Sequence, residues 1–382
     1  AGPRRKGGPG SFREPISVGI IGGMNAIPDQ AAGQAGADPR RTQVAAWLSS
    51  LPRQLQLDPS TLQPASSDAS FRRYFRVAMG PGTAVVMDAP PDKEDCRPFL
   101  HVAGLLHAAG VHVPRVLAQD LGQGFLLLSD LGRSTYVDYL RGTPTPHDTH
   151  RIYMDALAAL VKLQQSATTG LVRYDKARLA TELELFPDWY AARYRDQPLD
   201  AADRATLDAV FETLIDANLA QPFVLVHRDY HSPNLMLTDL PAGGPDYGPN
   251  PGVIDFQDAV VGPITYDLAS VLTDARTTWD EPQQLDWGIR YWEMARKAGL
   301  PVAADFADFH CAYEWMGLQR NLRILGVFAR LAHRDGKLGY LDHIPRVNTY
   351  VRQVASRYLA FKPLMKLLDK LDGQTSATGY TF

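Results

Sequence analysis

Cysteine is scarce in this chain: Cys96 and Cys311 are the only two among 382 residues. Two thiols cannot build a disulfide framework, so a disulfide-stapled design is excluded and a reducing compartment, the cytoplasm, is the expected location. Long apolar runs are missing as well, and no stretch is long and apolar enough to span a bilayer, so no membrane partner is expected. Nor is there an excess of positive charge. The 39 Lys and Arg face 42 Asp and Glu, a net charge of −3. That balance argues against a protein that coats nucleic acid and for one that handles a small molecule. No internal repeat is present. The length suggests two domains or lobes, each large enough for a substantial core.

Residues 1–40 stand apart, rich in Gly, Ala, Pro and Arg with Met24 inside them. The segment is expected to be poorly ordered. Arg4-Arg5-Lys6 before Ile16–Ile21 has the outline of a signal peptide, but Gly22 and Gly23 cut the apolar run short. The expectation is that Met24 is the native start and that the residues before it are upstream or added sequence.

What the sequence does have is concentrated in FVLVHRDYHSPNLML, residues 223–237, and GVIDFQD, residues 252–258. An apolar run ending at Val226 feeds a polar loop with His227, Asp229 and Asn234, and a second apolar run delivers Asp255. Phosphoryl transfer needs this kind of layout: one carboxylate beside the attacking hydroxyl, and oxygen donors that hold a hard cation. Asp229 is the expected base or orienting group, and Asn234 with Asp255 are the expected Mg²⁺ ligands. His227 is grouped with the catalytic residues, more as a brace for the loop than as a proton carrier. The competing reading is a polar loop between two buried strands in which Asp and Asn are only turn residues.

The segment resembles the catalytic core of the aminoglycoside phosphotransferase/choline kinase family, relatives of protein kinases that act on small molecules. SFRRYFRV, VVMDAPPDKEDCRPF, FLLLSDLG, HRDYHSPNLM, VIDFQDAVVGPITYDLASVL and MGLQRNLRILGVFARL are most similar to the anomeric sugar kinases of bacterial cell-wall recycling. Those enzymes phosphorylate the 1-hydroxyl of N-acetylmuramate and N-acetylglucosamine. The likeness runs from about Arg41 to the mid-360s. It implies an α+β, bilobal, protein-kinase-like fold, with a β-rich nucleotide-binding N-lobe over 41–131 and a helical C-lobe over 132–382. It also implies ATP and Mg²⁺ as cofactors and an amino sugar as the small-molecule partner; a monomer is the expected state. Two other readings stay open: an aminoglycoside or choline-type kinase, and a nucleotide-binding regulator without catalysis.

The chain after residue 40 reads as a helix over 42–51, strands at about 71–79 and 83–88, a helix over 95–110, and strands at about 115–119 and 124–129. The turn at Ser66–Ser70 sits where relatives place the loop over the ATP phosphates. It has no Gly-rich signature, but Ser67 and Ser70 offer hydroxyls and close backbone approach. Kinases usually carry a Lys on the third strand, and Ala84–Asp88 offers none. Arg73 or Arg76 is the expected substitute, with Lys93 as a second choice; the plain alternative is arginines on a solvated strand face. Alternation puts Phe71, Arg73, Phe75 and Val77 on one face and Arg72, Tyr74 and Arg76 on the other, so Arg73 needs a partner if buried. Without the strand Lys, Asp88 and Glu94 have no assigned ion pair. Ser129 and Asp130 lie at the connector between lobes, whose backbone recognises adenine in the family.

Beyond Gly132 the periodicity predicts helices over 152–164, 176–191, 200–218, 281–298, 304–333 and 342–370. Residues 239–252, rich in Pro and Gly, read as a surface loop. Asp267, early in a helix, resembles the family's structural Asp that ties that helix to the catalytic loop. For the sugar, Gln257 and Asp258 are the nearer candidates. Arg320 and Arg323, on a basic stripe with Arg330 and Arg334, are candidates for a carboxylate-binding fork; a solvated face is the plain reading of that stripe.

Overall fold

The structure, a computed structural model, describes residues 38–67, 71–238 and 248–373. The expectations about residues 1–37, Met24, Ser70 and most of the 239–252 excursion lie outside the described residues, as does the side chain of Ser67.

The first part of the chain is a five-stranded antiparallel sheet between two helices. Helix α1 (Pro39–Ser50) precedes β1 (Leu57–Ser67), β2 (Arg73–Met79) and β3 (Gly82–Asp88); α2 (Arg97–Ala108) precedes β4 (Val116–Asp120) and β5 (Phe125–Ser129). The strand order is β1-β2-β3-β5-β4. Period-two alternation divides the side chains between the helices. Phe75, Val77, Ala84, Val86, Phe125 and Leu127 pack with Val44, Trp47 and Leu48 of α1. Met87, Leu126 and Leu128 turn to the other face, onto Phe99, Val102 and Leu106 of α2.

β1 was not anticipated. Pro59 and Pro64 argue against a strand, but β1 is at the sheet edge, where a missing N–H costs no ladder bond. Its pairing with β2 slips twice, between Asp58 and Gln63 and between Pro64 and Ser66.

Past β5 the chain becomes helical, completing a bilobal α+β arrangement. α3 (Tyr136–Arg141) opens on a capping box in which Thr135 and Asp138 satisfy each other's backbone N–H groups. α4 (Pro146–Gln164) starts six residues before the predicted Ile152 because Thr145 caps it and Pro146 fits its first turn. The helix predicted over 176–191 is two elements, α5 (Lys176–Leu183) and a π-helical segment Phe186–Tyr194 with Pro187 in its first turn. α6 (Ala201–Leu219) leads into β6 (Phe223–Val226). Then come β7 (Leu235–Met236), β8 (Gly252–Val253), β9 (Val260–Pro263), α7 (Tyr266–Leu272), α8 (Glu281–Lys297) and α9 (Phe306–Asp335). The predicted helix over 342–370 breaks into α10 (Ile344–Arg357) and α11 (Lys362–Leu371).

Two short antiparallel pairs frame the functional loop. β6 pairs with β9, with Val226 opposite Val260, and β7 pairs with β8, with Leu235 opposite Val253. The loop therefore leaves one buried ladder and enters another, and both of its ends are fixed.

Candidate active site

His227 follows directly from β6 and is almost fully buried. Its Nε2 meets the Ile254 carbonyl at 3.0 Å, and its Nδ1 accepts the Asp229 N–H at 3.3 Å. That pairing selects the tautomer with hydrogen on Nε2. Burial lowers the imidazole pKa, opposed by the Asp229 charge, so the ring is neutral. Both ring nitrogens are committed to backbone, which makes His227 a brace between the loop and the segment after β8 that carries Asp255.

The loop is held from below by Asp267 of α7. Its Oδ2 accepts the His227 N–H at 2.7 Å and its Oδ1 accepts the Arg228 N–H at 3.0 Å. Burial pushes this carboxyl up to about 7, against the pull of those two N–H donors. Arg228 has φ of 77° and Asp255 has φ of 65°, left-handed conformations uncommon for residues with a Cβ. The surrounding bonds hold this backbone strain at the two ends of the site.

Asp229 is 5% exposed. Burial by itself raises its pKa, but His231, Arg323, Arg228 and Arg320 outweigh this and hold the carboxyl below the ordinary value. His231 is itself kept neutral by burial, so at neutral pH the standing positive field comes from the three arginines. Asn234 donates from Nδ2 to the Asp229 carbonyl at 2.9 Å and to Asp255 Oδ2 at 3.3 Å. With the amide nitrogen on two oxygens, Oδ1 is left as an acceptor beside the Asp255 carboxylate. Hard oxygen donors of this kind suit Mg²⁺. Among the described residues no group of three or more His, Cys, Asp or Glu could hold a metal. A cation here would therefore depend on Asn234, Asp255 and oxygens brought by a ligand, which is how Mg²⁺ is usually bound beside phosphates.

The other expected residues fare differently. Gln257 donates to Asp255 Oδ1 at 2.8 Å, so it orients the carboxylate next to it. Asp258 is partly exposed on the same turn. The two arginines expected to meet phosphate are committed elsewhere. Arg73 binds Asp88 (Nη2 to Oδ2, 2.7 Å) and Asp38 (Nη1 to Oδ2, 2.7 Å), which is the partner its apolar face demanded. Arg76 forks onto the Asp130 carboxylate at 2.5 and 3.0 Å and onto the Gly132 carbonyl at 2.8 Å. Asp130 also takes the Thr83 hydroxyl and the Gly132 N–H. The Ser129 hydroxyl accepts the Arg115 N–H, and its own N–H goes to the Arg115 carbonyl. Ser129 and Asp130 thus brace the connector through their side chains.

Arg320 and Arg323 are 2% and 5% exposed, so the basic stripe is no solvated face at these positions. Both bear on Asp229 from α9. Arg323 Nε is 3.3 Å from Glu182, which also pairs with Arg228 at 2.8 Å. Arg334, by contrast, pairs with its exposed neighbour Asp335.

Several residues escaped the sequence reading. Glu182 of α5 gathers Arg228 and Arg323. Asp274, just past α7, accepts from the Ser232 N–H at 3.0 Å and from its hydroxyl, and Arg276 stands 3.6 Å away. Arg72, at the mouth of β2, is 8% exposed and pairs with Glu94 at 3.1 Å. Asp255 and Asp258 both act on its charge. Only the alternation of β2, which sets Arg72 opposite Arg73, hinted at this placement.

Comparison with known proteins agrees with this geometry. The model of the phosphotransferase enzyme family matches residues 61–306. The chain belongs to this family. An N-acetylmuramate/N-acetylglucosamine kinase of Pseudomonas aeruginosa is 46% identical to this phosphotransferase over 342 residues, covering 87% of this chain and 97% of the relative. A kinase of the same description from Neisseria meningitidis is 42% identical over 346 residues, covering 90% and 99%. Among solved structures, a choline/ethanolamine kinase family protein from Mesorhizobium loti superposes with a TM-score of 0.56 at 14% identity, covering 87% of this chain and 99% of its own. The Plasmodium vivax ethanolamine kinase does so with a TM-score of 0.58 at 9% identity, covering 83% and 90%. At such identities the structural likeness concerns the fold. No helix among the described residues is long and apolar enough to cross a membrane.

Proposed function

We propose that this phosphotransferase moves the γ-phosphoryl group of ATP to the anomeric 1-hydroxyl of N-acetylmuramate and N-acetylglucosamine. The observation that carries the reading is the Asn234 bridge. One amide nitrogen binds the carbonyl of Asp229 and the carboxylate of Asp255, so the acceptor-side carboxylate and the cation-side carboxylate are fixed to one residue. The acceptor class is taken from the kinases named above, similar over nearly their whole length.

Asn234 Oδ1 and the Asp255 carboxylate would hold Mg²⁺, which when bound neutralises phosphate charge. Asp229 receives a hydrogen bond from the 1-hydroxyl and aims its oxygen at phosphorus. A carboxylate held below its ordinary pKa is a weak base. That suits a loose transition state, in which the hydroxyl proton leaves late and orientation contributes most. The new O–P bond forms as the bond from phosphorus to the ADP oxygen breaks, and the hydroxyl proton passes to Asp229 and then to solvent. The backbone of the connector braced by Ser129 and Asp130 is assigned to adenine, and Ser67 and Ser70 to the phosphates. Gln257, Asp258, Arg320 and Arg323 remain the candidates for contact with sugar. The chain acts as a cytoplasmic monomer in the recycling of cell-wall sugars, with no nucleic-acid or membrane partner.

The test is a side-by-side assay of ATP consumption with N-acetylmuramate, N-acetylglucosamine, choline and kanamycin. The two sugars should be turned over, and Asp229→Ala should abolish that turnover. Turnover of choline or kanamycin alone would move the acceptor to the other small-molecule kinases. ATP-dependent turnover of none would leave a nucleotide-binding regulator.

A further inference from the structure

We propose that Arg72 is the N-lobe cation that binds the phosphates of the nucleotide, and that Glu94 is its positioning residue. The inference rests on the kinase reading above and adds a residue to it.

The need for such a cation follows from charge. A triphosphate brought to Asn234 and Asp255 meets the Asp255 and Asp258 carboxylates on the same turn, and β3 carries no lysine to offset them. Of the three arginines at 72, 73 and 76, two are committed away from that turn, Arg73 to Asp38 and Asp88 and Arg76 to Asp130. Arg72 is placed differently. Alternation along β2 turns it to the face that carries Tyr74, which packs in the core shared by α2 and the catalytic strands. Its guanidinium is nearly buried, pairs with Glu94 at 3.1 Å, and lies in the field of both Asp255 and Asp258.

Glu94 is tied to the same turn by packing. It lies just ahead of α2, whose Phe99 ring packs, tilted by 31°, against the ring of Phe256, the neighbour of Asp255, with centroids 4.9 Å apart. A shift of α2 would therefore move Glu94 and Phe256 together. A guanidinium presents five N–H donors in a planar fork, which can serve a carboxylate and a phosphate at once, whereas an ammonium acts as a point charge. An arginine entering from β2 thus substitutes for a cation on β3, with the carboxylate before α2 setting its aim.

The experiment compares full-length wild type with Arg72→Met, Arg72→Lys and Glu94→Gln. It measures calorimetric binding of ADP and of adenosine, and KM for ATP against kcat at saturating N-acetylmuramate. Arg72→Met should bind ADP about tenfold more weakly or worse, with adenosine affinity unchanged and KM for ATP raised. Arg72→Lys should recover part of the loss, and Glu94→Gln should show a smaller loss of the same pattern. Wild-type ADP affinity and KM for ATP in Arg72→Met would overturn the assignment. So would an equal loss of ADP and adenosine affinity, since that marks a structural role. If wild type phosphorylated no sugar while Arg72→Met still weakened ADP alone, the phosphate assignment would stand and the acceptor reading would fall.

Discussion

The amide of Asn234 stands 3.3 Å from the carboxylate of Asp255 while holding the backbone of Asp229 at 2.9 Å. One short side chain therefore sets the spacing between the acceptor side and the cation side of the site. Asn234→Ala should lower kcat about a hundredfold, because a small misplacement of the reacting groups costs that much. The Mg²⁺ concentration needed for half-maximal rate should rise with it. Steady-state rates across a Mg²⁺ series check both, and an unchanged Mg²⁺ requirement would separate Asn234 from the cation.

Asp229 and Asp267, both buried, titrate in opposite directions. Asp229 lies below its ordinary value of 3.8, so it keeps its charge as the pH falls to 4. Asp267, pushed up to about 7, gains a proton as the pH falls through 7 and then holds the His227 and Arg228 N–H groups less strongly. The kcat profile should fall on the acid side with a midpoint near 7, and Asp267→Asn should lose that limb at a lower plateau. The stability signs are opposite too. The raised Asp267 pKa gives a contribution that is full below 3.8 and lost as the pH rises through about 7; the contribution of Asp229 is present above 3.8 and lost as the pH falls through its lower folded value. Profiles of kcat and Tm for wild type and Asp267→Asn test the assignment.

Asp88 is fully buried and takes both Arg40 and Arg73, clamping α1 to the sheet. Its replacement by Ala leaves Arg40 without its carboxylate and Arg73 with Asp38 alone. Removing one partner of a buried pair costs about 3–5 kcal/mol. Because Arg40 and Arg73 are 27% and 39% exposed, water recovers part of that, and about 2 kcal/mol is expected in denaturant unfolding. KM for ATP should not move, and neither should it in Arg73→Ala. A raised KM in Arg73→Ala would return that residue to the phosphate site.

Gly326 lies in the middle of α9, where a Cβ would run into the backbone carbonyl of Leu185 at the entry to the π-helical segment. The carbonyl is backbone and cannot swing aside. Gly326→Ala should therefore destabilise the protein by about 1–3 kcal/mol, read as a lower Tm, despite alanine's better helix propensity.

The parts legible in the sequence are those whose information is local. His227, Asp229 and Asn234 fall within one loop, and β2, β3, β4 and β5 appear within a few residues of their predicted positions because alternation is written along each strand. β1 was hidden by Pro59 and Pro64, harmless only because the strand ends up at the edge. The single helix read over 342–370 hid the breaks before Pro345 and Pro363, since apolar periodicity continues across them. Arg72 was placed on the correct face of β2, yet its partner is 22 residues away and in no repeating pattern, so the ion pair could not be read. Arg320 and Arg323 look solvated by spacing and are buried because Glu182 and Asp229 lie across from them, a relation that exists only after folding.

Transfer to an anomeric hydroxyl aligned by Asp229 is read out by ³¹P NMR of the product formed from ATP and N-acetylmuramate. The product should be a sugar phosphate whose phosphorus couples to the proton on C1, which mild acid hydrolyses and which is absent with Asp229→Ala. An acid-stable phosphate on another hydroxyl, or undiminished product from Asp229→Ala, would contradict it.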